Sequence, residues 1–241
     1  MNPLVLIPAR MGATRLPGKP LANIGGVPMI VRAWERACAS GYRVAVAAGD
    51  AEIVDVIHAA GGEAVLTDPA LPSGSDRIQV TAATLDPDGR HDVIVNLQGD
   101  MPFADPGLAR TCVAVLADHA DVDIATLVAP EADASDRANP DVVKAILALD
   151  DLGRQGRALY FTRSTLYGDA PIWRHIGLYA YRREALDRFC AAPPSPLEIR
   201  EKLEQLRALE MGMIIRAAMV ADAPLSVDNP GDLEAARRLV S

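Results

Sequence analysis

The stretch LVLIPARMGATRLPGKP (residues 4–20) joins a short apolar run to a loop rich in glycine, proline and positive charge. The run from Leu4 to Ile7 is typical of a β-strand that is buried on both faces of a sheet. The loop carries Arg10, Arg15 and Lys19, and its glycines let the backbone turn tightly and present N–H groups to an anion. Guanidinium and ammonium groups both bind phosphate oxygens. The stretch therefore predicts a buried first strand followed by a loop that binds a polyphosphate.

The rest of the first half alternates between helical and strand patterns. Helices are predicted at 28–41, 51–62 and 75–85, and strands at 43–49, 63–67 and 91–100. Strands that alternate with helices pair in parallel through right-handed crossovers. The pattern therefore predicts an α/β fold with a Rossmann-like, mostly parallel sheet flanked by helices.

Two polar clusters, 9–19 and 98–100, follow predicted strands of this sheet. Ligands of open α/β sheets bind at the carboxyl ends of the strands, so we expect both clusters at one edge. The loop has neither the Walker spacing nor the dinucleotide fingerprint, which disfavours ATP hydrolysis and hydride transfer. For either cluster alone, an ordinary solvated loop remains the alternative.

The predicted secondary-structure pattern changes beyond residue 120. Strands are predicted at 122–128, 142–150, 158–162 and 172–182, with few helices between them. This pattern predicts a mixed or antiparallel β extension, and such an arm often contacts a partner.

Two further helices are predicted near the end of the chain. The first covers 195–212, with Ser195 as its N-cap and Glu198 completing a capping box. Its predicted apolar stripe consists of Ile199, Leu203 and Leu206. The second begins after Asn229 and Pro230.

Composition limits the classes of function. The 241 residues are half hydrophobic, which suffices for one large domain, and 24 Lys and Arg against 32 Asp and Glu give a net charge of −8. Nucleic acid would be repelled by most of such a surface, so no nucleic-acid partner is expected. Cys38, Cys112 and Cys190 lie far apart, as in a reducing cytosol, and no apolar stretch is long enough to cross a bilayer. We therefore expect a cytoplasmic protein with no membrane contact.

The R-x-x-x-x-R-L-P-G-K-P loop resembles the signature of sugar nucleotidyltransferases, and further motifs narrow the resemblance. They are SGSDR (73–77), NLQGD (96–100), NPDVVK (139–144), ALYFTRS (158–164), RHIGLYAYR (174–182), PSPLE (194–198), LEQLR (203–207) and VDNPGDLE (227–234). Their order resembles that of the 3-deoxy-manno-octulosonate (Kdo) cytidylyltransferase family. Nearly the whole chain is covered, so the resemblance implies one nucleotidyltransferase domain spanning 1–241, of the type that acts on nucleotide-diphospho-sugars.

The resemblance implies transfer of CMP from CTP to Kdo, with release of pyrophosphate, for lipopolysaccharide assembly. It places Arg10, Arg15 and Lys19 at the triphosphate, and Asp100 and Asp228 as ligands of Mg²⁺. Arg10, Lys19 and Asp100 are the implied catalytic residues. Mg²⁺ needs few protein carboxylates, because substrate oxygens and waters complete its coordination. The resemblance also implies a homodimer formed through the extension at 120–182.

For the sugar acid, the resemblance implies a set of hydrogen-bonding side chains. They are Gln98, Arg163, His175, Tyr179, Glu204 and Gln205, with Arg163 suited to pair with the carboxylate. His175 and Tyr179 are spaced by an even number of residues, so we expect both on one face of a strand. Arg77 of SGSDR is expected near the nucleotide base. Read without the resemblance, each of these residues has an ordinary structural role as its alternative.

The sequence also departs from the family pattern. Ala13 stands where serine is usual, Gly49 where threonine is usual and Met101 where an acidic residue is usual, and Asp76 and Gly231 each replace a common Glu. Alternative substrates therefore stay open: an amino analogue of Kdo, or another ulosonic acid of the sialic-acid type. A catalytically silent nucleotide-binding protein is a further alternative, although it would be expected to have lost the lysine or a metal-binding aspartate.

Overall fold

The computed structural model describes residues 1–12, 16–131, 134–168 and 170–240. By its internal contacts the chain divides into two compact units. The first consists of Met1–Arg110 with Pro224–Ser241, and the second of Thr111–Ala223.

The first unit is built on a parallel sheet. Its elements are β1 (Pro3–Ala9), β2 (Asn23–Ile24), β3 (Val27–Pro28), α1 (Met29–Cys38), β4 (Arg43–Ala48), α2 (Ala51–Ala59), β5 (Glu63–Leu66), α3 (Gly74–Leu85) and β6 (Val93–Asn96). Four strands pair in parallel in the order β5, β4, β1, β6. Leu4 to Ile7 are fully buried, as the continuous apolar run predicts. The predicted parallel sheet is confirmed.

The helices of this unit begin and end where the sequence signals them. Ser73 caps α3 by accepting a hydrogen bond from the backbone N–H of Asp76. Gly41 and Gly61 follow α1 and α2 with φ of 82° and 83°, a conformation that a residue with a side chain rarely adopts. The helix α4 (Gly107–Asp118), which contains the boundary between the units, is absent from the sequence prediction.

The second unit contains a mixed sheet. Its elements are β7 (Ile124–Glu131), β8 (Lys144–Leu149), β9 (Gln155–Thr162), β10 (Ile172–Arg182), α5 (Arg183–Ala191), α6 (Pro196–Glu201), α7 (Gln205–Glu210) and β11 (Ile215–Met219). The strand order is β10, β7, β11, β9, β8; β11 is parallel to β7 and the other neighbours are antiparallel. The predicted mixed extension is confirmed, whereas α5 and β11 are absent from the sequence prediction.

The prediction of one helix at 195–212 is wrong, because the structure divides this stretch into α6 and α7. Lys202 between them has φ 55°, a left-handed conformation that ends a helix. The predicted capping box of Ser195 and Glu198 is confirmed. Ile199, placed in the apolar stripe, is 66% exposed, whereas Leu203 and Leu206, the stripe residues after the break, are buried.

The last helix, α8 (Pro230–Arg238), returns to the first unit and is capped by Asn229. Within the described ranges, no helix is both long enough and apolar enough to cross a membrane. The three cysteines are free thiols.

Candidate functional site

The carboxyl ends of β1, β4 and β6 meet at one edge of the parallel sheet in the first unit. A cavity of about 370 Å³ lies at this edge. Six polar side chains predicted from the sequence line it: Arg10, Lys19, Arg77, Gln98, Asp100 and Asp228. The structure thus brings the two predicted strand-end clusters together with a third segment from near the end of the chain. Arg15 lies outside the described residues.

Lys19 holds the two aspartates of this cavity. Its Nζ donates to Asp100 Oδ2 at 2.7 Å and to Asp228 Oδ1 at 3.1 Å. The lysine side chain is only 15% exposed, so this ammonium group is largely shielded from bulk water. Charge-assisted hydrogen bonds are stronger than neutral ones, and this one cation fixes two carboxylates that are 128 residues apart in sequence.

The backbone around Asp228 explains why the two carboxylates meet. The N–H of Val227 donates to the carbonyl of Asp100 at 2.9 Å, which ties the two segments side by side. The N–H of Asp228 then donates to Asp232 Oδ2 at 2.9 Å, and Asp232 forms a capping box with Asn229 at the start of α8. The helix cap therefore fixes the segment that presents Asp228.

The donor set fits a hard divalent cation. Asp100 Oδ1 is buried and accepts no hydrogen bond from any described group. A buried carboxylate oxygen without a partner is costly unless a ligand satisfies it. Within the described ranges, no group of three or more His, Cys, Asp or Glu side chains could hold a metal. Two carboxylates that converge on one positive charge suit Mg²⁺, which completes its coordination with substrate oxygens and waters.

The loop after β1 is held in place by Asp50, a residue that the sequence analysis did not single out. Asp50 stands at the N-cap position of α2, yet its side chain does not cap that helix. Instead Asp50 Oδ2 accepts the N–H of Met11 at 2.8 Å. Gly18, with φ 67°, then leads into the short 3₁₀-helix Lys19–Leu21 that carries the lysine. The position of Asp50, two residues beyond the end of β4, is the sequence signal that could have identified it.

Arg77 is the most deeply buried cation of the cavity, with 2% of its surface exposed. Its Nη1 donates to Thr67 Oγ1 and, at 3.2 Å, to the carbonyl of Asp68. Burial lowers the pKa of the guanidinium, and the nearby charge of Arg10 lowers it further. Its Nη2 is buried and has no hydrogen-bond partner among the described groups. The Nη2 group of Arg77 is thus available to donate a hydrogen bond to a ligand.

A second group of predicted residues meets on β10 in the second unit. The rings of His175 and Tyr179 are 5.4 Å apart between centroids. The strand bulges between Ile176 and Tyr179, because Ile176 pairs with Leu127 of β7 and Tyr179 pairs with the neighbouring Thr126. An advance of three residues along β10 therefore corresponds to one residue along β7. The bulge inserts an even number of residues, so the alternation is preserved and both rings remain on one face, as predicted.

His175 is neutral in this environment. Burial lowers the pKa of its imidazole from 6.5 to about 3. Its Nε2 lies 3.0 Å from Thr126 Oγ1, and that hydroxyl donates its single proton to the carbonyl of Leu178 at 2.9 Å. Nε2 therefore carries the proton and donates to the threonine, which leaves Nδ1 as an acceptor.

Tyr179 and Glu204 are electrostatically coupled. Burial raises the pKa of the Tyr179 hydroxyl, and the negative charge of Glu204 raises it further, so the phenol stays protonated as a donor. Glu204 lies at the start of α7, with its Oε1 at 3.6 Å from Arg207 Nη2. Gln205, the next residue, is 7% exposed.

Arg163 follows β9 in the second unit and donates to the carbonyl of Pro140 at 2.8 Å. The fully buried Lys144 supports the same segment, because its Nζ donates to the carbonyls of Asn139 and Arg163. Lys144 is the last residue of the NPDVVK motif (139–144), and nothing local in the sequence indicates this supporting role. Within the described ranges, no hydrogen bond joins Arg163 to His175 or Tyr179.

Comparison with known proteins agrees with these features. A family model described as "Cytidylyltransferase" matches residues 4–215. A 3-deoxy-manno-octulosonate cytidylyltransferase from Parvibaculum lavamentivorans is 58% identical over 238 residues, which cover 98% of this chain and 92% of that protein. One from Paramagnetospirillum magneticum is 54% identical over 242 residues, covering 100% of this chain and 98% of that protein. A solved structure of CMP:2-keto-3-deoxy-manno-octonic acid synthetase complexed with CTP is 36% identical, covers 99% of this chain and 98% of its own, and has a TM-score of 0.89.

Proposed function

The chain belongs to the 3-deoxy-manno-octulosonate cytidylyltransferase family, and on this premise we propose that it transfers CMP from CTP to Kdo with release of pyrophosphate. The product serves lipopolysaccharide assembly. The observation that carries the proposal is the cavity at the strand ends, where Lys19 holds Asp100 and Asp228 beside Arg10 and Arg77.

The triphosphate of CTP is bound by the loop after β1. Arg10 and Lys19 neutralise the charge that grows on the phosphoryl oxygens as the sugar hydroxyl attacks the α-phosphorus in line. The transfer of a phosphoryl group requires mainly positioning and charge stabilisation. Arg15 is proposed for the same anion from its place in the loop motif. Arg77 supplies a buried donor to the nucleotide through its unpaired Nη2.

Asp100 and Asp228 would hold Mg²⁺. The bound ion supplies Lewis-acid stabilisation of the phosphate oxygens. The chain's own contribution is to keep the two carboxylates together, which it does through Lys19 and through the bond between Val227 and Asp100.

The sugar acid is bound by the remaining predicted residues. Tyr179 offers a protonated hydroxyl as a donor, and His175 offers Nδ1 as an acceptor. Together they can donate a hydrogen bond to a sugar hydroxyl and accept one from it. Arg163 is proposed for the carboxylate, and Gln98, Glu204 and Gln205 for further hydroxyl groups. A polar site of this kind rejects substrates that leave one of its buried groups unpaired.

We also propose that the enzyme is cytoplasmic and that residues 1–241 form a single functional domain. Two copies of this domain associate as a homodimer through the extension at 120–182. The extension carries exposed apolar side chains that a second copy would cover: Leu152 at 76%, Leu159 at 54% and Leu149 at 44% exposed. Light scattering of the purified chain tests this proposal: a monomer across micromolar concentrations contradicts it.

The reaction is tested by measuring pyrophosphate release with Kdo, Mg²⁺ and each of CTP, ATP, GTP and UTP in turn. We expect release with CTP far above the other three, and none when Kdo or Mg²⁺ is omitted. Equal pyrophosphate release with ATP or GTP would contradict the proposed specificity for CTP. Tight CTP binding without pyrophosphate release would favour a silent nucleotide-binding protein.

A further inference from the structure

Thr126 of β7 is fully buried against the bulge of β10. The irregular stretch of β10 brings two backbone carbonyls to its hydroxyl: the oxygen of Leu178 lies 2.9 Å away and that of Ile176 lies 3.2 Å away. The third neighbour of the hydroxyl is His175 Nε2, at 3.0 Å. The threonine hydroxyl therefore links the backbone of the bulge to the imidazole.

The two carbonyls determine the direction of the hydrogen bond between Thr126 and the imidazole. Carbonyl oxygens only accept, and a hydroxyl has a single proton to donate. When that proton points to a carbonyl, only the lone pairs of the hydroxyl remain for His175, so Nε2 must be the donor. The reverse arrangement, with the hydroxyl donating to Nε2, would turn lone pairs towards both carbonyls inside a buried site, which is unfavourable.

The orientation of the His175 ring is restricted as well. Phe161 packs against the ring at an interplanar angle of 65°, with 4.8 Å between centroids, and Tyr179 lies 5.4 Å away. The backbone N–H of His175 donates to the carbonyl of Val143 at 2.8 Å. These contacts favour one orientation of the ring, with Nε2 towards Thr126.

We propose that Thr126 is a positioning residue for sugar recognition: by accepting the Nε2 proton it fixes the tautomer of His175, so that the imidazole meets the sugar acid only as a hydrogen-bond acceptor. The hydroxyl of Kdo that meets His175 must then donate. This proposal rests on the proposed function, because it takes Kdo as the ligand of His175. It predicts that replacing this hydroxyl by fluorine, which cannot donate, weakens binding as much as removing it.

Heteronuclear NMR of protein with isotope-labelled histidine measures the tautomer without any substrate. At a pH where all four histidines are neutral, the His175 signals, assigned by their loss in His175→Gln, should show a protonated Nε2 and an unprotonated Nδ1. Thr126→Val removes the acceptor at similar volume and should shift the population towards protonated Nδ1. Thr126→Ser keeps the hydroxyl and should retain the wild-type tautomer. A protonated Nδ1 in wild type, or an unchanged tautomer in Thr126→Val, would overturn the proposal.

Steady-state kinetics connect the tautomer to sugar recognition. Thr126→Val should raise the KM for Kdo roughly tenfold, as expected when one hydrogen bond is lost in a buried site. The KM for CTP should stay unchanged, because Thr126 is not part of the cavity lining. On a His175→Ala background the same substitution should add almost nothing, since the threonine acts through the imidazole. Thr126→Ser should keep a KM for Kdo near the wild-type value. An equal further loss on that background would contradict the proposal.

Deoxy and fluoro analogues of Kdo identify the hydroxyl concerned. The hydroxyl whose removal weakens binding to wild type but not to His175→Ala is the partner of the imidazole. At that position the fluoro analogue should bind no better than the deoxy analogue. A fluoro analogue that binds as well as Kdo there would overturn the inference.

The matched control is Thr81→Val in α3. Thr81 is also fully buried, lies outside the cavity lining, and its hydroxyl has no hydrogen-bond partner among the described groups. This control should change neither KM nor the His175 tautomer, and a matching rise in its KM for Kdo would count against the role of Thr126. Failure of the proposed function is distinguishable, because the tautomer is measured without substrate and wild-type protein would then release no pyrophosphate from CTP with Kdo.

Discussion

Replacing Lys19 with methionine removes the ammonium group from the cavity while keeping most of the apolar stem. In the structure this group makes two charge-assisted hydrogen bonds, at 2.7 Å to Asp100 and 3.1 Å to Asp228. The substitution leaves two carboxylates without their shared cation and removes a positive charge from the triphosphate. Loss of one preorganised donor of this kind costs about 3–4 kcal/mol in the transition state, so kcat/KM should fall roughly 100- to 1000-fold.

Stability should respond far less. The side chains of the three ion-paired residues are between 15% and 41% exposed, and partly exposed ion pairs contribute about 1 kcal/mol or less each. For a chain of this size, 1 kcal/mol corresponds to about 2–4 °C in melting temperature. The Lys19→Met variant should therefore melt within a few degrees of wild type while nearly losing turnover.

Steady-state pyrophosphate release with CTP, Kdo and Mg²⁺ measures the effect of Lys19→Met, with thermal melting measured in parallel. Arg43→Ala is the matched control, because it breaks an exposed ion pair with Glu63 at 2.8 Å that is not part of the cavity lining. The control should keep wild-type turnover. Near-wild-type kcat/KM in Lys19→Met would refute the reasoning, as would a collapse of the fold.

Three further predictions concern the remaining residues of the two groups. Asp100→Asn should abolish turnover at any Mg²⁺ concentration yet remain folded, and recovery of activity at high Mg²⁺ would show that the carboxylate only assists metal binding. His175→Ala and Glu204→Ala should raise the KM for Kdo or lower kcat while CTP affinity, measured by calorimetry, stays unchanged; an equal loss of both affinities would assign these residues to the fold. Because the folded-state pKa of His175 is about 3 and the unfolded value is 6.5, unfolded chains bind a proton that folded chains do not, and stability is lost as pH falls from 6.5 towards 3. His175→Gln should therefore show a shallower fall in melting temperature over this range, and parallel curves for the two proteins would contradict the shift.

The parallel sheet of the first unit could be predicted because its signals are local. The run from Leu4 to Ile7 identifies a doubly buried strand, and Gly41 and Gly61 mark two helix ends through their left-handed backbone. The cavity follows from the same logic, since polar residues after parallel strands must meet at one edge. Asp228 could be assigned only through the family resemblance, because nothing local indicates that a distant helix cap would carry it to Asp100.

The rest depends on contacts that the sequence pattern does not encode. The break at Lys202 comes from a left-handed conformation of an ordinary residue, which propensity disfavours. Met101 is 5% exposed, so the acidic side chain that is usual in the family would be buried at this position. Burying a charged carboxylate costs free energy unless it is paired. Each case depends on which residues meet in three dimensions.

The central claim is that this chain makes CMP-Kdo, and the most direct measurement is competition between sugar acids. The values of kcat/KM for Kdo, for its amino analogue and for a nine-carbon sialic acid should be determined with saturating CTP and Mg²⁺, with each product identified by mass. The proposed function predicts that Kdo is preferred over the sialic acid by roughly 100-fold or more, because an ill-matched substrate leaves buried polar groups such as His175 and Tyr179 unpaired. Equal or better use of the sialic acid, or a product that is not CMP-Kdo, would contradict it.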